Sequence, residues 1–566
     1  NGLVVDANGE PVIGASIIEK GTTNGGITDI NGKFTLTVKP GATLKISYIG
    51  YQTQEVKAAR TMKIILKEDS ELLQEVVVVG YGTQKKANLT GAVATVDVNK
   101  TLDSRPIADI GRGLQGAVAG VNITIPTGEV GSDPLIKIRG QVGSISGNNT
   151  PLILLDNVEI PSIQMVNPND VQSISVLKDA ASSSIYGSKA AFGVILITTK
   201  SGAQSDKFEI SYSNNFSWQD PAKKIEIGGI EALQYTLDAQ TNRREPMPAG
   251  GFWRISPESL EKAIEWQNLY GGKVKWNDPV VYGRDWFYDG KDKYGYRLYD
   301  GAKAMIKNWT PTMTHNLSVN GKSGKTSYNI GLGYLDQSGM SKTAKKDDFK
   351  RYNASVSVTS EINKYITVRA SSIYSDRNKR YPGIGNTTAD PWLYLYRWSP
   401  LMPMGVTENG NPLKEPTYEM AAANTDNLQN KYYNINLGFT LNLTKNWDVK
   451  FDYTYDRQTT ETNSSVMQYE AGEMWYAPTA WMENGSQVFV NEQGERVDTG
   501  GMPAYRFPVN KYYNSSGPSA SQVGNNSKSI DNNTFNIYTT YNLLLGPEKQ
   551  HAFKFMAGMN RVTNKW

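Results

Sequence analysis

The residues that could carry out acid–base or metal chemistry are few in this chain. It has no cysteine and only two histidines, His315 and His551, among 566 residues. Two distant histidines cannot supply the ligands of a zinc site, and the lack of cysteine excludes disulfides, thiolate clusters and a cysteine nucleophile. Carboxylates alone could form a glycosidase pair, but no spacing singles one out. We therefore expect a protein that is not an enzyme and has no cofactor or metal.

Three short motifs suggest ligand sites but lack the surroundings that such sites need. The run Gly111–Gly116 matches the dinucleotide pattern GxGxxG, yet Asp103–Pro106 precedes it where a strand is required. The Asp-Xaa-Asn-Gly runs at Asp6 and Asp29 resemble calcium loops without the closing glutamate. The serines of Ala180–Ser184 have no histidine nearby to act as a base. We interpret the first motif as part of a helical run, the second as plain turns and the third as the start or face of a helix.

A run of four valines stands out between charged and glycine-rich neighbours. The sequence from Lys67 reads KEDSELLQEVVVVGYG, and Val76–Val79 form a strong β segment without a period. One interpretation is a further buried strand of the preceding domain. The other is a strand kept free to join the sheet edge of a partner, where main-chain hydrogen bonds supply the affinity.

An aromatic cluster in the sequence DPWLYLYRWSP could bind a ligand. Its members are Trp392, Tyr394, Tyr396, Arg397 and Trp398. Aromatic faces suit sugar stacking, and the guanidinium could bind acidic groups. The alternative is that these residues pack a loop or form an interface belt. Trp475, Tyr476 and Trp481 leave the same two interpretations open.

The composition limits the class of protein that positions these residues. Lys and Arg number 59 against 55 Asp and Glu, which gives no reason to expect a nucleic-acid partner. The mean hydropathy is −0.47, and the longest nearly unbroken apolar run, Ala190–Ile197, is too short for a spanning helix. A transmembrane β-barrel remains possible, because its strands alternate lipid-facing and lumen-facing residues. No signal peptide is visible, as expected if an exported protein has lost it.

The first two hundred residues predict two small domains. Residues 1–67 contain short strands separated by Asn-Gly turns, including Asn24-Gly25-Gly26, which predicts a small β-sandwich. Its predicted strands are Leu3–Val5, Ala15–Ile18, Lys33–Val38, Thr43–Ile49 and Met62–Leu66. Residues 86–203 alternate helical runs and strands, which predicts a compact α+β unit. Its predicted elements are helices at Ile107–Leu114 and Leu177–Tyr186 and strands at Leu135–Ile138, Leu152–Leu155 and Val194–Thr199.

From Lys207 onward, long stretches alternate apolar and polar residues, as amphipathic strands do. About nine such strands are predicted, near 208–219, 312–321, 326–336, 349–360, 364–376, 431–443, 447–457, 533–545 and 551–562. Their connections alternate long and short, which is the asymmetry of outer-membrane barrels. Because bacterial single-chain barrels have even strand numbers, we expect the barrel to be unfinished, with roughly its C-terminal half missing.

These features together resemble the SusC-like (SusC/RagA) branch of TonB-dependent outer-membrane transporters of Bacteroidota. The matching motifs are GLVVDANGEPVIGASI, TDINGKFTL, EVVVVGYG, LQGAVAGV, IKIRG and DAASSSIYGSKAAFGVILITTK. The resemblance implies a mainly β fold with four parts. These are a carboxypeptidase-regulatory-like β-sandwich at 1–67, a linker with the TonB box at 68–85, an α+β plug at 86–203 and an incomplete transmembrane β-barrel at 204–566.

The resemblance also implies a function and partners. The TonB box would comprise Gln74, Glu75, Val76, Val77, Val78 and Val79. TonB, energised by ExbB and ExbD, would pull on it to drive import across the outer membrane. The N-terminal domain and plug would face the periplasm, and a SusD-like lipoprotein would close the barrel from outside.

The substrate remains open at this stage. The family imports mostly oligosaccharides, so a glycan is our first expectation, and oligopeptides or a siderophore-like chelate are the alternatives. An adhesion or signalling barrel without transport is a further alternative. The intact LLQEVVVVG segment disfavours it, because an adhesin needs no energy-coupling strand.

Overall fold

The computed structural model describes most of the chain, which divides into two compact units. It describes residues 1–566 except 7–8, 23, 40, 49–50, 52, 67–75, 80–81, 86–91, 97, 99–100, 102–106, 108, 126–128, 141–149, 201–207, 222–223, 225, 244–252, 384–390, 396, 466–467, 514–522, 546–550 and 566. One unit comprises residues 1–95 and 175–196, and the other comprises residues 96–174 and 197–566. No helix within the described ranges is long and apolar enough to cross a bilayer.

The N-terminal residues form the predicted β-sandwich. One sheet has the strand order Lys33–Phe34, Gly2–Val5, Met62–Ile65, and the other has the order Gly25–Ile27, Ser16–Glu19, Thr43–Ser47, Gln54–Lys57. Both sheets contribute side chains to one apolar core: Val4, Val12, Ala15, Ile17, Phe34, Leu44, Ile46, Ile64 and Leu66. The prediction is wrong at two strands. Gly25–Ile27, read as a turn, is an edge strand paired with Ser16–Ile18, and Gln54–Lys57 was missed because it is mostly polar.

The two acidic turns of this domain use their carboxylates to close the turns. Asp29 Oδ1 accepts the backbone N–H groups of Asn31 at 2.9 Å and Lys33 at 2.8 Å. Asp6 Oδ1 accepts the N–H of Glu10 at 2.8 Å. The turn at Asp29 is an Asx turn, and at both sites the carboxylate binds backbone N–H groups, in agreement with the interpretation as plain turns.

Residues 92–200 contain short strands and helices, as predicted for an α+β unit. The strands are Val93–Val96, Val121–Thr124, Leu135–Ile138, Leu152–Leu155, Val158–Glu159, Val171–Leu177 and Val194–Thr199, and the helices are Ile110–Leu114, Ala180–Ser183 and the 3₁₀ turns Ile163–Met165, Pro168–Asp170 and Ser184–Ala190. Two predicted helix starts are wrong. The first helix begins at Ile110 because Asp109 caps it by accepting the N–H of Arg112 at 2.9 Å. The second begins at Ala180 because Leu177 still belongs to a strand.

The remaining chain is dominated by one antiparallel sheet of nine strands, which we call the wall. In order, the wall strands are Glu209–Gln219, Thr310–Ser323, Thr326–Ser338, Asp348–Glu361, Ile366–Pro382, Thr425–Thr444, Trp447–Ser465, Val523–Leu545 and His551–Lys565. Each predicted strand coincides with one of them, and several extend further than predicted. Consecutive strands pair with each other, so all long connections lie at one end of the wall and the short ones at the other.

The wall has an inverted distribution of polarity. On the sixth strand Asn434 and Asn436 are 5% and 4% exposed, whereas Ile435 and Leu437 are 48% and 51% exposed. The same alternation recurs on neighbouring strands, where Ser375 is buried and Tyr374 exposed. A water-soluble sheet buries its apolar face, so a wall that exposes its apolar face and buries its polar face is built for a lipid surround.

The long connections form a folded structure of their own, which we call the loop body. It comprises the described parts of residues 220–309, 383–424 and 466–522. Its helices are Ile230–Arg243, Pro257–Tyr270, Gly301–Met305, Pro391–Tyr394 and Pro416–Ala422, and its strands are Trp253–Arg254, Trp286–Tyr288, Lys293–Gly295, Gln468–Gly472, Thr479–Ala480, Met482–Glu483, Ser486–Gln487, Phe489–Val490, Met502–Pro503, Tyr505–Arg506 and Val509–Tyr513. All three segments contribute to one core that is rich in aromatic side chains and methionine.

Candidate functional site

The four valines singled out in the sequence form a strand. Val76–Val79 pair antiparallel with Gly82–Lys85, with Val76 opposite Lys85 and Val79 opposite Gly82. A two-stranded hairpin is marginal by itself, so this pairing leaves the strand open to exchange with another partner. Gln74 and Glu75, the other predicted members of the TonB box, lie outside the described residues.

The two histidines lie on different wall strands. His315 Nδ1 is 2.8 Å from the hydroxyl of Tyr212 on the first strand, and His551 begins the ninth strand. Among the described residues no group of three or more His, Cys, Asp or Glu could hold a metal ion.

The glycine run and the serine run lie in helices rather than in ligand loops. Gly111 and Gly113 belong to the helix Ile110–Leu114. Ser182 donates from its backbone N–H to Asp179 Oδ1 at 2.8 Å, and Ser183 Oγ donates to the carbonyl oxygen of Asp179 at 2.8 Å. These serines therefore stabilise a helix start, in agreement with the sequence interpretation.

Residues 96–174, which we call the inner segment, and Lys200 are hydrogen-bonded to the polar face of the wall along a contact that we call the seam. On the fourth wall strand, Arg351 Nη1 donates to the carbonyl oxygen of Gln164 at 3.1 Å. Two residues further, Asn353 Nδ2 donates to the carbonyl oxygen of Met165 at 2.8 Å. Both donors are almost fully buried, so the inner segment covers this face of the strand.

The same strand continues to donate at every second residue. Ser355 Oγ donates to Asp170 Oδ2 at 2.8 Å, and Ser357 Oγ donates to the carbonyl oxygen of Lys200 at 3.1 Å. Burial raises the pKa of Asp170, and the hydrogen bond from Ser355 opposes that rise. The period of two follows from strand geometry, because alternate side chains point to one face.

The fifth wall strand adds charged contacts to the seam. Arg377 Nη1 donates to Ser162 Oγ at 3.0 Å and lies 3.4 Å from Asp133 Oδ1. Lys379 Nζ lies 2.6 Å from Glu129 Oε2. Arg377 is almost fully buried, so this contact is screened less by salt than a surface ion pair.

Two glycines on the third wall strand allow the inner segment to approach closely. A Cβ atom at Gly331 would lie 2.8 Å from Asp170 Cγ, and one at Gly333 would lie 3.1 Å from Asn167 Cγ. A side chain at either position would have to displace the Asp170 or Asn167 side chain. Asn167 Nδ2 also donates to Asn316 Oδ1 on the second wall strand at 3.1 Å.

The seam was not predicted from the sequence. Its donors occupy alternating positions on predicted strands, but their acceptors lie about 150 to 250 positions away, and no local pattern links the two. The only available signal was the polarity of the inner face, at Arg351, Asn353, Ser355 and Ser357. A lumen-facing row of donors was therefore visible, whereas the identity of its partner was not.

Two of the five residues of the predicted aromatic ligand site, Trp398 and Tyr394, lie in or against the loop-body core. Trp398 is 5% exposed, and its indole N–H donates to the carbonyl oxygen of Met402 at 3.2 Å. Tyr394 is half-buried beside it, with ring centroids 6.0 Å apart. Arg397 is exposed. Trp392 lies in the helix Pro391–Tyr394.

Tyr396 lies outside the described residues. For Trp398 the packing interpretation therefore describes the structure, and the ligand role of the group as a whole stays a prediction. Of the second ambiguous group, Trp481 is buried in the same core and Tyr476 is exposed.

A buried lysine joins two segments of the loop body. Lys293 Nζ donates to the carbonyl oxygens of Met474 at 2.6 Å and Tyr476 at 2.8 Å. Burial lowers the pKa of Lys293 to about 8, and the nearby Glu473 carboxylate opposes this effect. The ammonium group thus fixes the segment at 474–476 to the strand Lys293–Gly295.

A buried glutamate begins the last helix of the loop body. The Glu415 carboxylate accepts the N–H groups of Thr417 at 2.7 Å and Tyr418 at 2.9 Å and so caps the helix Pro416–Ala422. Burial raises the pKa of Glu415 to about 7, although the hydrogen bonds from Thr417 and Tyr418 favour the charged form.

Two family models match the N-terminal part of the chain. The model of the CarboxypepD_reg-like domain matches residues 1–78. The model of the TonB-dependent receptor plug domain matches residues 85–194. The second match includes the inner segment, which the seam attaches to the wall.

The chain is also similar to characterised receptors over most of its length. It is 33% identical to the TonB-dependent receptor SusC of Bacteroides thetaiotaomicron over 366 residues, which cover 63% of this chain and 31% of SusC. It is 30% identical to the TonB-dependent receptor P26 of Formosa agariphila over 438 residues, which cover 76% of this chain and 40% of P26. The chain therefore spans less than half the length of either relative. These relatives are receptors rather than enzymes, in agreement with the prediction.

A similar fold occurs in a solved structure, that of the RagAB peptide transporter. The TM-score is 0.56 with 21% sequence identity, over 84% of this chain and 48% of the transporter chain. At this identity the likeness shows the fold alone. It confirms the prediction of a mainly β chain with a plug and part of a large outer-membrane barrel.

Proposed function

Because the chain is a homologue of the SusC-like TonB-dependent receptors, we propose that it acts in the energy-coupled import of oligosaccharides across the outer membrane. In this proposal the inner segment closes the lumen of the wall, and Val76–Val79 receives the pulling force. TonB, energised by ExbB and ExbD, is the partner on the periplasmic side. A SusD-like lipoprotein closes the outer side, and no cofactor takes part.

The seam is the observation that carries this proposal. A wide barrel leaks unless it is closed, and the closure of an importer must also open. The inner segment is held by separate neutral hydrogen bonds such as Asn353 to Met165 and Asn167 to Asn316. Each such bond contributes only about 0.5–1.5 kcal/mol net, because water can replace the partner. The seam can therefore break stepwise under force and form again.

The valine strand suits the delivery of that force. A partner strand that pairs with Val76–Val79 is bound through several backbone hydrogen bonds at once. Its attachment depends on backbone donors and acceptors and only weakly on side-chain identity. Among the residues that the structure describes, Val76–Val79 pair with Gly82–Lys85 alone, which leaves the other strand edge for this partner.

The connections of the wall support the orientation. Strands of a bacterial barrel are joined by short turns at the periplasmic end and by long loops outside. The turns after Ser323 and Thr444 contain two residues each, whereas the loop body lies at the other end. We therefore propose that the loop body lies outside the cell. From the family resemblance we also propose that the N-terminal sandwich and the inner segment face the periplasm.

The oligosaccharide is proposed from the family resemblance. RagAB is described as a peptide importer, but its likeness to this chain concerns the fold. Native mass spectrometry of the complex extracted from its own membrane distinguishes between a glycan and a peptide substrate. Bound masses spaced by sugar units support the glycan, and masses spaced by amino acids would replace it with the peptide. A co-purifying lipoprotein of the SusD type would support the lid.

A backbone substitution tests the energy coupling. Deletion of Glu75–Val79 in the full-length protein should abolish uptake and leave surface binding of substrate intact. Val77→Pro with Val78→Pro should act like the deletion, because proline removes the backbone donor. Val77→Thr with Val78→Thr keeps the donors and should transport normally. Uptake by the deletion variant at the rate of the unmodified protein would contradict the proposal.

A further inference from the structure

A cavity in the first segment of the loop body belongs to no part of the proposed transport machinery. Its volume is about 280 Å³, close to the lower limit for small-molecule sites. One wall of the cavity is a single face of the helix Pro257–Tyr270. The side chains of this face recur at helical spacing and are Lys262, Glu265, Trp266, Leu269 and Tyr270.

The facing side of the cavity comes from two other segments. Phe287 comes from the strand Trp286–Tyr288, Arg284 and Tyr296 come from the chain next to the strands that follow the helix, and Glu492 comes from a distant turn. Gly283 lets the two segments meet, because its φ is +87° and a Cβ atom there would lie 2.8 Å from the carbonyl oxygen of Asn491.

The aromatic walls of the cavity are fixed before any ligand arrives. The indole N–H of Trp266 donates to Asp285 Oδ1 at 2.9 Å, in a fully buried contact. The ring of Tyr270 lies 5.8 Å from that of Trp266, and the Arg284 guanidinium lies 5.8 Å from the Tyr270 ring centroid. A ligand that stacks here therefore orders few side chains, which lowers the entropic cost of binding.

The polar groups of the cavity are charged but balanced. Lys262 Nζ lies 3.1 Å from Glu265 Oε2 and 2.9 Å from Glu492 Oε2, and it joins the helix to the distant turn. Arg284 is held by Asp285 through two hydrogen bonds of 2.8 Å. The positive charges of Lys262 and Arg284 balance the negative charges of the two lining glutamates, so the cavity favours neither an anion nor a cation. The side chains of Glu265 and Glu492 are 52% and 62% exposed and can accept further hydrogen bonds.

We propose that this cavity binds one sugar residue of an uncharged oligosaccharide. A pyranose ring has an apolar C–H face that packs on an aromatic ring and a rim of hydroxyl groups that donate to carboxylates. The cavity offers both surfaces in a space that suits one ring and no net charge. It would capture the glycan on the loop body before entry into the lumen, which refines the substrate class of the proposed function and rests on it.

Titration of the purified full-length protein with neutral hexasaccharides of glucose, mannose, xylose and galactose tests this site. Saturation-transfer NMR gives the Kd for each, and a hexapeptide of uncharged residues serves as the competing probe. Tyr270→Ala removes the stacking wall, and Glu492→Gln removes one charged acceptor. For at least one hexasaccharide we expect each to weaken binding about tenfold, equal to 1.4 kcal/mol. Tyr235→Ala, at an exposed tyrosine of the preceding helix, is the matched control and should leave the Kd unchanged.

Three results would overturn the inference. The first is that no hexasaccharide binds, and the second is that neither pocket variant changes the Kd of a hexasaccharide. The third is that the hexapeptide binds instead and that both variants weaken its binding. Failure of the transport proposal is a separate result. Val77→Pro with Val78→Pro should abolish uptake and leave the hexasaccharide Kd of the cavity unchanged.

Discussion

The seam and the loop body hold their parts together with different interactions. In the seam, side chains of the wall such as Arg351, Asn353 and Arg377 donate hydrogen bonds to the inner segment. Among the described residues the seam also includes a small apolar cluster, formed by Val130, Leu335 and Phe349. In the loop body, three distant segments share an aromatic core.

This difference has a physical consequence. A hydrogen bond can be exchanged for water at small net cost, so a polar contact can separate and reform. An aromatic core loses its whole hydrophobic contribution when it opens. We infer that the loop body keeps its shape during transport while the seam is the contact that opens. Four substitutions test this contrast.

The largest effect is expected in the loop-body core. Trp286 is 2% exposed, and its ring stacks on Phe507 at 4.1 Å between centroids. Trp286→Ala should destabilise the loop body by about 3–5 kcal/mol, because it leaves a cavity in a packed core. Denaturant titration followed by hydrogen exchange should show this loss in the loop body and not in the seam. Trp309→Ala, at an exposed tryptophan, should cost less than about 0.5 kcal/mol.

The next effect is expected at the charged part of the seam. Arg377→Ala removes the donor to Ser162 and the ion pair with Asp133, for a cost of about 1.5–3 kcal/mol. Hydrogen exchange should accelerate at residues 129–133 and 162–165 and remain unchanged in the loop body. Arg369→Ala is the control, because Arg369 lies on the same strand but pairs with Asp452 within the wall. If hydrogen exchange in the inner segment accelerates equally in both variants, the effect of Arg377→Ala does not come from its contacts in the seam.

A pH dependence is expected at the last helix of the loop body. The pKa of the Glu415 carboxyl rises from 4.5 to about 7 because the group is buried. Between these values the folded form holds a proton that the unfolded form has lost. The stability of the loop body should therefore fall as the pH rises from about 4.5 to 7, by on the order of 3 kcal/mol.

Glu415→Gln should remove this dependence. Hydrogen exchange, corrected for the intrinsic rate at each pH, measures it at residues 416–422. Glu495→Gln, at an exposed glutamate, should keep the dependence of the unmodified protein. A rise in stability over the same interval would show that the sign is wrong.

The smallest effect is expected from one neutral bond of the seam. Ser357→Ala removes the hydrogen bond to the carbonyl oxygen of Lys200, at a cost of about 0.5–1.5 kcal/mol. Hydrogen exchange at Lys200 should increase modestly. Val356→Ala, on the opposite face of the same strand, should leave that exchange unchanged. A cost above 3 kcal/mol would mean that the seam acts as one cooperative unit.

The wall could be predicted from the sequence because its signal is local. Alternation of polar and apolar residues, as at Asn434 to Leu437, identifies a strand and its two faces without knowledge of its neighbours. The prediction of the sandwich was less complete, since the short edge strand Gly25–Ile27 contains turn residues and little periodicity. The valine strand was also predicted from a local signal, which is a run of four β-branched residues rather than an alternation.

The seam and the loop body could not be predicted because their contacts are distant in sequence. Arg377 reaches an acceptor 244 positions away, and the loop-body core collects residues from three segments without any repeat. Trp398 illustrates the problem. A tryptophan that stacks on a ligand and one that fills a core look alike in sequence, and only the packing distinguishes them.

One cross-link tests most directly whether the seam must open. These 566 residues contain no cysteine, so Gly331→Cys with Asp170→Cys introduces a single pair among them. The Cβ position at 331 lies 2.8 Å from Asp170 Cγ, so the two side chains are near enough for a disulfide. Uptake is measured in the full-length protein before and after reduction, with each single variant as a control. We predict that the oxidised pair binds substrate but does not import it, and that reduction restores import. Import at the unmodified rate by a fully oxidised pair would contradict the account.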